Sequence, residues 1–283
     1  MVYAWIMTLS ARNNLFRGGI IFAAVSFCLV AAGGYFSHLA FPDVAEAAGL
    51  RSQGIAQMIA VKLSDTSIYV PFWTMLGMVA YSLISMIIIY YFFENTQSPE
   101  ILFFAVFVIS LSFEFIRILL PFKMIFTFPV VYLINAFRAL IFGRCLGLFS
   151  IFAAGVYAAG LDAQKQKNIF MVLVLAALFI ALNVPVDSLV WDSTLALWNG
   201  YNAMLRMVET GILVITIATF FISAYTRSSK NYTTVGIGAS FVLAGRSLLF
   251  SSDNWITFPL GLVFLVIGTF FFCTRLHREY LWL

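Results

Sequence analysis

Seven charged residues lie within stretches of sequence that are otherwise apolar, and they are the residues of this chain that could do chemistry. They are Arg117, Arg138, Arg144, Arg206, Arg246, Glu114 and Glu209. A guanidinium keeps its charge at physiological pH and can hold a phosphate or a carboxylate through two parallel hydrogen bonds. An ionised side chain near the centre of a bilayer costs about 2.5–3.5 kcal/mol on insertion scales, so it normally has a partner. These residue types therefore predict internal ion pairs, an anion-binding site, or both.

The spacing of four of these residues predicts two local ion pairs. Glu114 and Arg117 are three residues apart, and Arg206 and Glu209 have the same spacing with the signs reversed. Residues three apart share one face of a helix and can pair along it. We therefore expect a salt bridge within each of the two pairs.

Those pairings leave Arg138, Arg144 and Arg246 without a carboxylate partner. Three unpaired guanidiniums close together would form a pocket that recognises an anion, such as a lipid phosphate or a carboxylate. Two alternatives stay open. In one, the guanidiniums reach headgroup phosphates and water at the membrane surface; in the other, they cap backbone carbonyls or link neighbouring helices.

Other kinds of chemistry lack their motifs in this sequence. There is no GxSxG, HExxH or Walker loop, and no SxxK or clustered carboxylate motif. Cys28, Cys145 and Cys273 lie far apart in apolar runs, which is typical of small buried side chains rather than of disulfides or metal ligands. The sequence offers no catalytic residue, no metal site and no cofactor site, and it favours a protein that is not an enzyme.

The elements that must position the seven charges are membrane-spanning helices. Hydrophobic residues make up 63% of the 283-residue chain and charged residues 10%, against about 45–50% and about 25% in soluble domains. The mean hydropathy is +1.00. This composition excludes a soluble enzyme, a nucleic-acid-binding protein and a disordered chain.

Eight stretches are long and apolar enough to cross a bilayer, which takes about 20 residues. They are 18–41, 69–93, 101–121, 140–161, 168–186, 207–226, 232–251 and 255–274. We therefore predict an all-α polytopic membrane protein with eight transmembrane helices, in which residues 1–283 form a single domain.

The fourth span is ambiguous because apolar sequence runs unbroken over 124–161. One helix of that length would measure about 57 Å, nearly twice the hydrocarbon thickness of a bilayer. We expect 124–138, which contains Pro129, to lie along the outer face, so that the span starts near Arg138. A single tilted and kinked helix is the alternative.

The distribution of loop charges predicts the orientation. With the N-terminus inside, the cytoplasmic side holds eight basic residues and the outer side three, together with six acids. This arrangement follows the positive-inside rule and places both termini in the cytoplasm. The membrane is then the cell membrane, and the inner one in a Gram-negative cell. All seven buried charges would lie towards the outer face.

Weaker features complete the predicted topology. The outer segments 43–64 and 187–205 have an apolar face, so we expect short amphipathic helices resting on the membrane surface. Glu94 and Glu100 flank an inner turn and are expected to be solvated. The small residues around Gly143–Gly147 predict close approach of a neighbouring helix.

These predictions favour a sensing or accessory membrane subunit. It would bind an anionic amphiphile or lipid headgroup at the outer arginines and act through a protein partner or a second copy. Membrane lipids are the expected partners, and nucleic acid is not. The alternative is a transporter, or a permease that translocates a lipid or another anionic substrate. A transport path needs polar residues that continue inward. The inner halves of spans three, six and seven are instead rich in Leu, Val, Phe and Ile, which favours binding without passage.

Overall fold

The fold is a bundle of membrane-spanning helices. The computed structural model describes residues 9–40, 69–94, 96, 98–125, 129–227, 230–252 and 254–281. Within these ranges, eight helices are long and apolar enough to cross a membrane. The predicted class, an all-α polytopic membrane protein, is confirmed.

The elements follow one another with short connections. The helices are α1 (Leu9–Ala40), α2 (Tyr69–Phe93), α3 (Pro99–Leu111), α4 (Leu119–Ile125), α5 (Val130–Ala158), α6 (Gln166–Asn183), α7 (Asn202–Thr226), α8 (Lys230–Phe250) and α9 (Thr257–Leu281). Two 3-10 segments cover Ser112–Ile118 and Ala163–Lys165, and two strands, β1 (Val186–Trp191) and β2 (Leu197–Asn199), pair antiparallel. The first 3-10 segment joins α3 to α4, so these three elements form one span.

This third span is the centre of the bundle. Of its most apolar stretch, 83% is buried, more than in any other span of the described chain. Ser98 begins it by accepting a hydrogen bond from the Ile101 N–H, with Pro99 at the first helical position. Helices α1, α2 and α5 pack around it. On the side of α9, the rings of Phe104 and Phe272 stack with centroids 4.4 Å apart.

The fourth span corrects the sequence prediction. Helix α5 runs unbroken from Val130 to Ala158, so the expected surface segment over 124–138 is wrong for its helical part. The alternative of one long helix is right. Pro129 lies immediately before the helix instead of kinking it, and 29 residues give a length of about 43 Å. Arg138 therefore lies inside the span.

The close helix approach predicted from small residues on α5 is confirmed, and it lies within the chain. A Cβ atom at Gly143 would meet the Phe113 side chain at 2.5 Å, and one at Gly147 would meet the Ser110 hydroxyl at 2.1 Å. Only glycine lets α5 come this near to the third span.

The segment after α6 also departs from prediction, because residues 186–199 form a β-hairpin instead of an amphipathic helix. The Asp192 carboxylate accepts hydrogen bonds from the Thr194 N–H and hydroxyl at 2.7 and 2.6 Å. Such side-chain bonds favour a turn over a helix. Leu195 then takes a positive φ of 57°, which reverses the chain. The other predicted surface helix, 43–64, falls outside the described residues.

The two ends of the bundle are named here by what they carry. The end with the β-hairpin is the hairpin end, and the end where α1 begins and α9 finishes is the termini end. Eight crossings bring Leu9 and Leu281 to the same end. The assignment of the termini end to the cytoplasm stays a prediction.

Two residues at the termini end are more buried than loop positions would be. Arg12 belongs to the first turn of α1 and is 4% exposed. Its guanidinium donates to the carbonyl oxygens of Phe93 at 3.0 Å and Glu94 at 2.6 Å, and to that of Thr96. It thereby satisfies carbonyls at the end of α2 that lack a helical partner.

The prediction of solvated acids in this turn is wrong for Glu100. This side chain is 2% exposed, and it accepts a hydrogen bond from the Ser98 hydroxyl at 2.9 Å. It lies in the first turn of the third span, where a negative charge interacts favourably with the helix dipole. Its position therefore stabilises the start of the central helix.

Helices α8 and α9 pack closest of all, through paired glycines seven residues apart. A Cβ atom at Gly245 would lie 2.7 Å from the carbonyl oxygen of Gly261, and one at Gly238 would lie 2.9 Å from that of Gly268. The obstructing atoms are backbone atoms, which cannot move aside as a flexible side chain can. The two backbones are therefore held in contact by the absence of side chains.

We predict that Gly245→Ala destabilises the protein by about 1–3 kcal/mol, the usual cost of overpacking. The readout is the melting temperature of the purified protein in detergent. Gly211→Ala is the matched control, because a Cβ atom there meets nothing within 4 Å. An equal loss of stability in both variants would contradict the backbone contact.

The topology is tested by cysteine labelling. With the three native cysteines replaced by alanine, Ser193→Cys at the hairpin end should react with a membrane-impermeant maleimide from outside. Lys167→Cys at the termini end should react only after permeabilisation. Labelling of both positions from one side would disprove eight crossings, and the reversed pattern would disprove the predicted orientation.

Candidate functional site

The site begins with the 3-10 segment in the third span. In a 3-10 helix, side chains three residues apart lie directly above one another, so Glu114 and Arg117 project from the same side. Their Oε2 and Nη1 atoms are 3.1 Å apart, and both side chains are almost fully buried. Pro121 follows one turn later and lacks the N–H that would bond to the Arg117 carbonyl in an α-helix. The predicted pair of Glu114 and Arg117 is confirmed.

Glu114 is also held by Arg144 from α5. The Arg144 Nε donates to Oε1 at 2.7 Å and its Nη2 donates to Oε2 at 2.8 Å. This is the bidentate geometry that a guanidinium forms best with a carboxylate. One buried carboxylate thus accepts three charge-assisted hydrogen bonds from two helical segments.

A second ion pair lies beside the first. The Nη1 of Arg246 in α8 donates to Oε1 of Glu209 in α7 at 2.5 Å, and its Nη2 donates to the backbone carbonyl of Arg144 at 3.2 Å. The guanidinium carbons of Arg144 and Arg246 lie 4.6 and 4.4 Å from the centroid of the Phe250 ring. Cation–π attraction therefore adds to the ion pairing.

The β-hairpin reaches the same place. The Nη2 of Arg117 donates to the backbone carbonyl of Thr194, at the turn that Asp192 stabilises. Leu197 and Leu195 pack against the third span and α5. The hairpin therefore covers this side of the bundle and takes part in satisfying a buried guanidinium.

We call Glu114, Arg117, Arg144, Glu209 and Arg246 the buried charge cluster. Three positive and two negative charges leave a formal charge of +1. The expectation that Arg144 and Arg246 lack carboxylate partners is wrong, because each has one. The expected pairing of Arg206 with Glu209 is wrong as well, since Glu209 pairs with Arg246.

Sequence reasoning missed these pairings because they join distant positions. Glu114 and Arg144 are 30 residues apart, and Glu209 and Arg246 are 37 apart. The available signal was depth: the predicted topology already placed all four at one level of the bilayer. Helical spacing favoured a local pair for Glu209, whereas tertiary packing brought α8 nearer to it than its own helix turn.

The structure separates Arg138 and Arg206 from the cluster. Arg206 is exposed on α7, and Arg138 is half-buried on α5. Among the side chains that the structure describes, neither forms a salt bridge. The Nε of Arg138 is buried and has no hydrogen-bond partner.

The chemistry available to the two sets of arginines is therefore different. In the cluster the guanidiniums hold carboxylates, so they act as links between helices. Arg138 has a charge that nothing in the described chain compensates, and it can hold an external anion. The described residues contain no group of three or more His, Cys, Asp or Glu side chains that could bind a metal ion.

Fold and site together define a polytopic helical membrane protein with a buried charge cluster near one end. A protein of Treponema pallidum (strain Nichols), described as uncharacterized, is similar to it. The two are 21% identical, over 67% of this chain and 69% of the relative. No family model matches the chain, and no solved structure does.

We predict that Glu114→Gln lowers the free energy of unfolding by about 3–5 kcal/mol, because it leaves two buried guanidiniums without a counter-charge. The measurement is the melting temperature in detergent. Asp162→Asn is the control, since it removes one negative charge at an exposed position. Similar melting temperatures for both variants would show that the cluster does not hold the bundle together.

Proposed function

We propose that this polytopic membrane protein binds the anionic headgroup of a membrane amphiphile at its hairpin end, and that Arg138 is the residue that holds it. The protein would be a sensing or accessory subunit that acts through a partner protein. The observation that carries the proposal is the half-buried, uncompensated guanidinium of Arg138, with its Nε hydrogen-bonded to nothing in the described chain.

The surroundings of Arg138 support this role. A helical side chain leans towards the N-terminus of its helix, which for α5 is the hairpin end. Its guanidinium can therefore reach the level of lipid headgroups while its apolar stem stays buried. A phosphate there would receive charge-assisted hydrogen bonds and would relieve the cost of a buried, unpaired charge.

The buried charge cluster supports the site indirectly. A cation that must wait for a ligand needs a rigid mounting, because a mobile one would lose conformational freedom on binding. Helix α5 carries both Arg138 and Arg144, and Arg144 is fixed by two hydrogen bonds to Glu114. The cluster thus anchors the helix on which Arg138 is presented.

Passage of a substrate is less well supported than binding. On the face of α7 that carries Glu209, buried hydroxyls recur every seven residues, at Thr216 and Ser223. Both donate to backbone carbonyls, of Ile212 at 2.7 Å and Ala158 at 2.6 Å. A hydroxyl that is already engaged offers little to a passing anion, which favours a sensing or accessory subunit over a transporter.

The proposed partner would dock at the termini end. Lys165, Lys167 and Arg227 are exposed there on short connections, and a cluster of cations fits an acidic surface. The proposed location is the cell membrane, and the inner membrane in a Gram-negative cell, because helical spans are inserted there.

We predict that Arg138→Gln lowers the affinity for phosphatidylglycerol by about tenfold or more, since a hydrogen bond to a charged group contributes about 1.5–3 kcal/mol. Native mass spectrometry of the purified protein, titrated with lipid, measures the change. The melting temperature should stay nearly constant.

Two controls make the same charge change elsewhere. Arg206→Gln alters an exposed arginine at the hairpin end, and Arg278→Gln alters an exposed one at the termini end. Both should bind phosphatidylglycerol nearly as the unmodified protein does. A loss as large as that of Arg138→Gln in either control would mean that general electrostatic attraction, not this site, retains the lipid.

A further inference from the structure

Helices α6 and α7 both pack on α5 but leave a gap between themselves. Helix α6 contacts α5 through Phe170, Val174 and Ala177, which pack with Phe142 and Phe149. Helix α7 contacts it further round, where Thr219 meets Gly155. Both helices lie wholly in the described part of the chain, and they do not pack extensively on each other. At the hairpin end, Leu205 closes the gap by packing with Ala181.

One strip of α5 faces this gap. Arg138, Cys145 and Phe152 are seven residues apart, so they lie on one face with only about 20° of drift per step. That face falls between the α6 contact at Phe142 and Phe149 and the α7 contact at Gly155. All three residues of the strip are half-buried, as expected for the floor of a groove open to one side.

The walls of this lateral groove are apolar. Helical periodicity places Leu173, Ala176 and Ile180 on the α6 side and Val208, Ile215 and Ile222 on the α7 side. The α6 residues are half-buried, and the α7 residues are 47–55% exposed. With Cys145 and Phe152 they form an apolar trough headed by the positive charge of Arg138.

The dimensions suit a lipid chain. From Arg138 to Phe152 is about 21 Å along the helix at 1.5 Å per residue. One leaflet of the hydrocarbon core is about 15 Å thick, half of the usual 30 Å. A chain that starts at Arg138 can therefore lie in the groove over the full depth of its leaflet.

We propose that the lateral groove binds an acyl chain of an anionic phospholipid whose phosphate is held by Arg138. This inference rests on the proposed function and extends it, because it makes the ligand a lipid recognised at both ends. Charge complementarity sets the headgroup: a neutral or cationic lipid would leave the Arg138 charge unpaired. The apolar trough sets the tail, which a soluble anion lacks.

The experiment fills the groove and leaves Arg138 in place. Cys145→Phe narrows the floor and Ala176→Phe narrows a wall, while Ala244→Phe adds the same side chain on the exposed face of α8 and is the control. Native mass spectrometry measures retention of three probes: dioleoyl phosphatidylglycerol, dihexanoyl phosphatidylglycerol with the same headgroup, and dioleoyl phosphatidylcholine.

In the unmodified protein, the long-chain phosphatidylglycerol should be retained about tenfold better than the short-chain form, a difference that two buried methylene groups would supply. The filled variants should lose that difference, and Ala244→Phe should keep it. If Cys145→Phe lowers the melting temperature, the smaller change Ala176→Leu replaces it. Chain-length preference unchanged in well-folded filled variants would overturn the groove.

The two proposals fail in different ways. If filling the groove has no effect and Arg138→Gln still weakens binding, the site recognises the headgroup alone. In that case inorganic phosphate should displace phosphatidylglycerol equally from filled and unmodified protein. If Arg138→Gln also has no effect, the headgroup site itself is disproved.

Discussion

The neutralisation of buried charge is the constraint on which this structure depends. The Glu114 carboxylate, 1% exposed in the most buried span, cannot be ionised in an apolar interior without positive partners. Arg117 supplies one from the same 3-10 segment, and Arg144 supplies the other from α5. Once α5 is fixed in this way, its backbone carbonyl at Arg144 receives Arg246, which brings α8 and Glu209 of α7 into the same arrangement.

Around this polar centre, the absence of side chains does what hydrophobic burial does in water. Lipid is as apolar as the helix surfaces, so helices associate through close packing and hydrogen bonds. Gly143 and Gly147 let α5 approach the third span, and Gly245 lets α8 approach α9. These contacts bring backbones near enough for dispersion to act over long stretches, and they hold the cluster's helices at a fixed distance.

Composition and length alone predicted the class of fold and the number of spans, because a bilayer demands about 20 apolar residues for each crossing. The Glu114–Arg117 pair was predictable too, since it is local. The bidentate bond from Arg144 and the pairing of Arg246 with Glu209 depend on how helices pack, which residue spacing does not encode. The β-hairpin was missed because Trp191 and Leu195 mimic a helical period, while the turn bonds of Asp192 outweigh it.

The order of the paired charges along the chain bears on how the protein enters the membrane. Glu114 meets Arg117 within its own span, so the third span can be inserted with its charge already compensated. Glu209 has no such neighbour: its partner, Arg246, belongs to the next helix. During synthesis the sixth span therefore presents an uncompensated acid to the lipid until the seventh has emerged. The two helices are best inserted together, as a pair released into the bilayer only when both are complete.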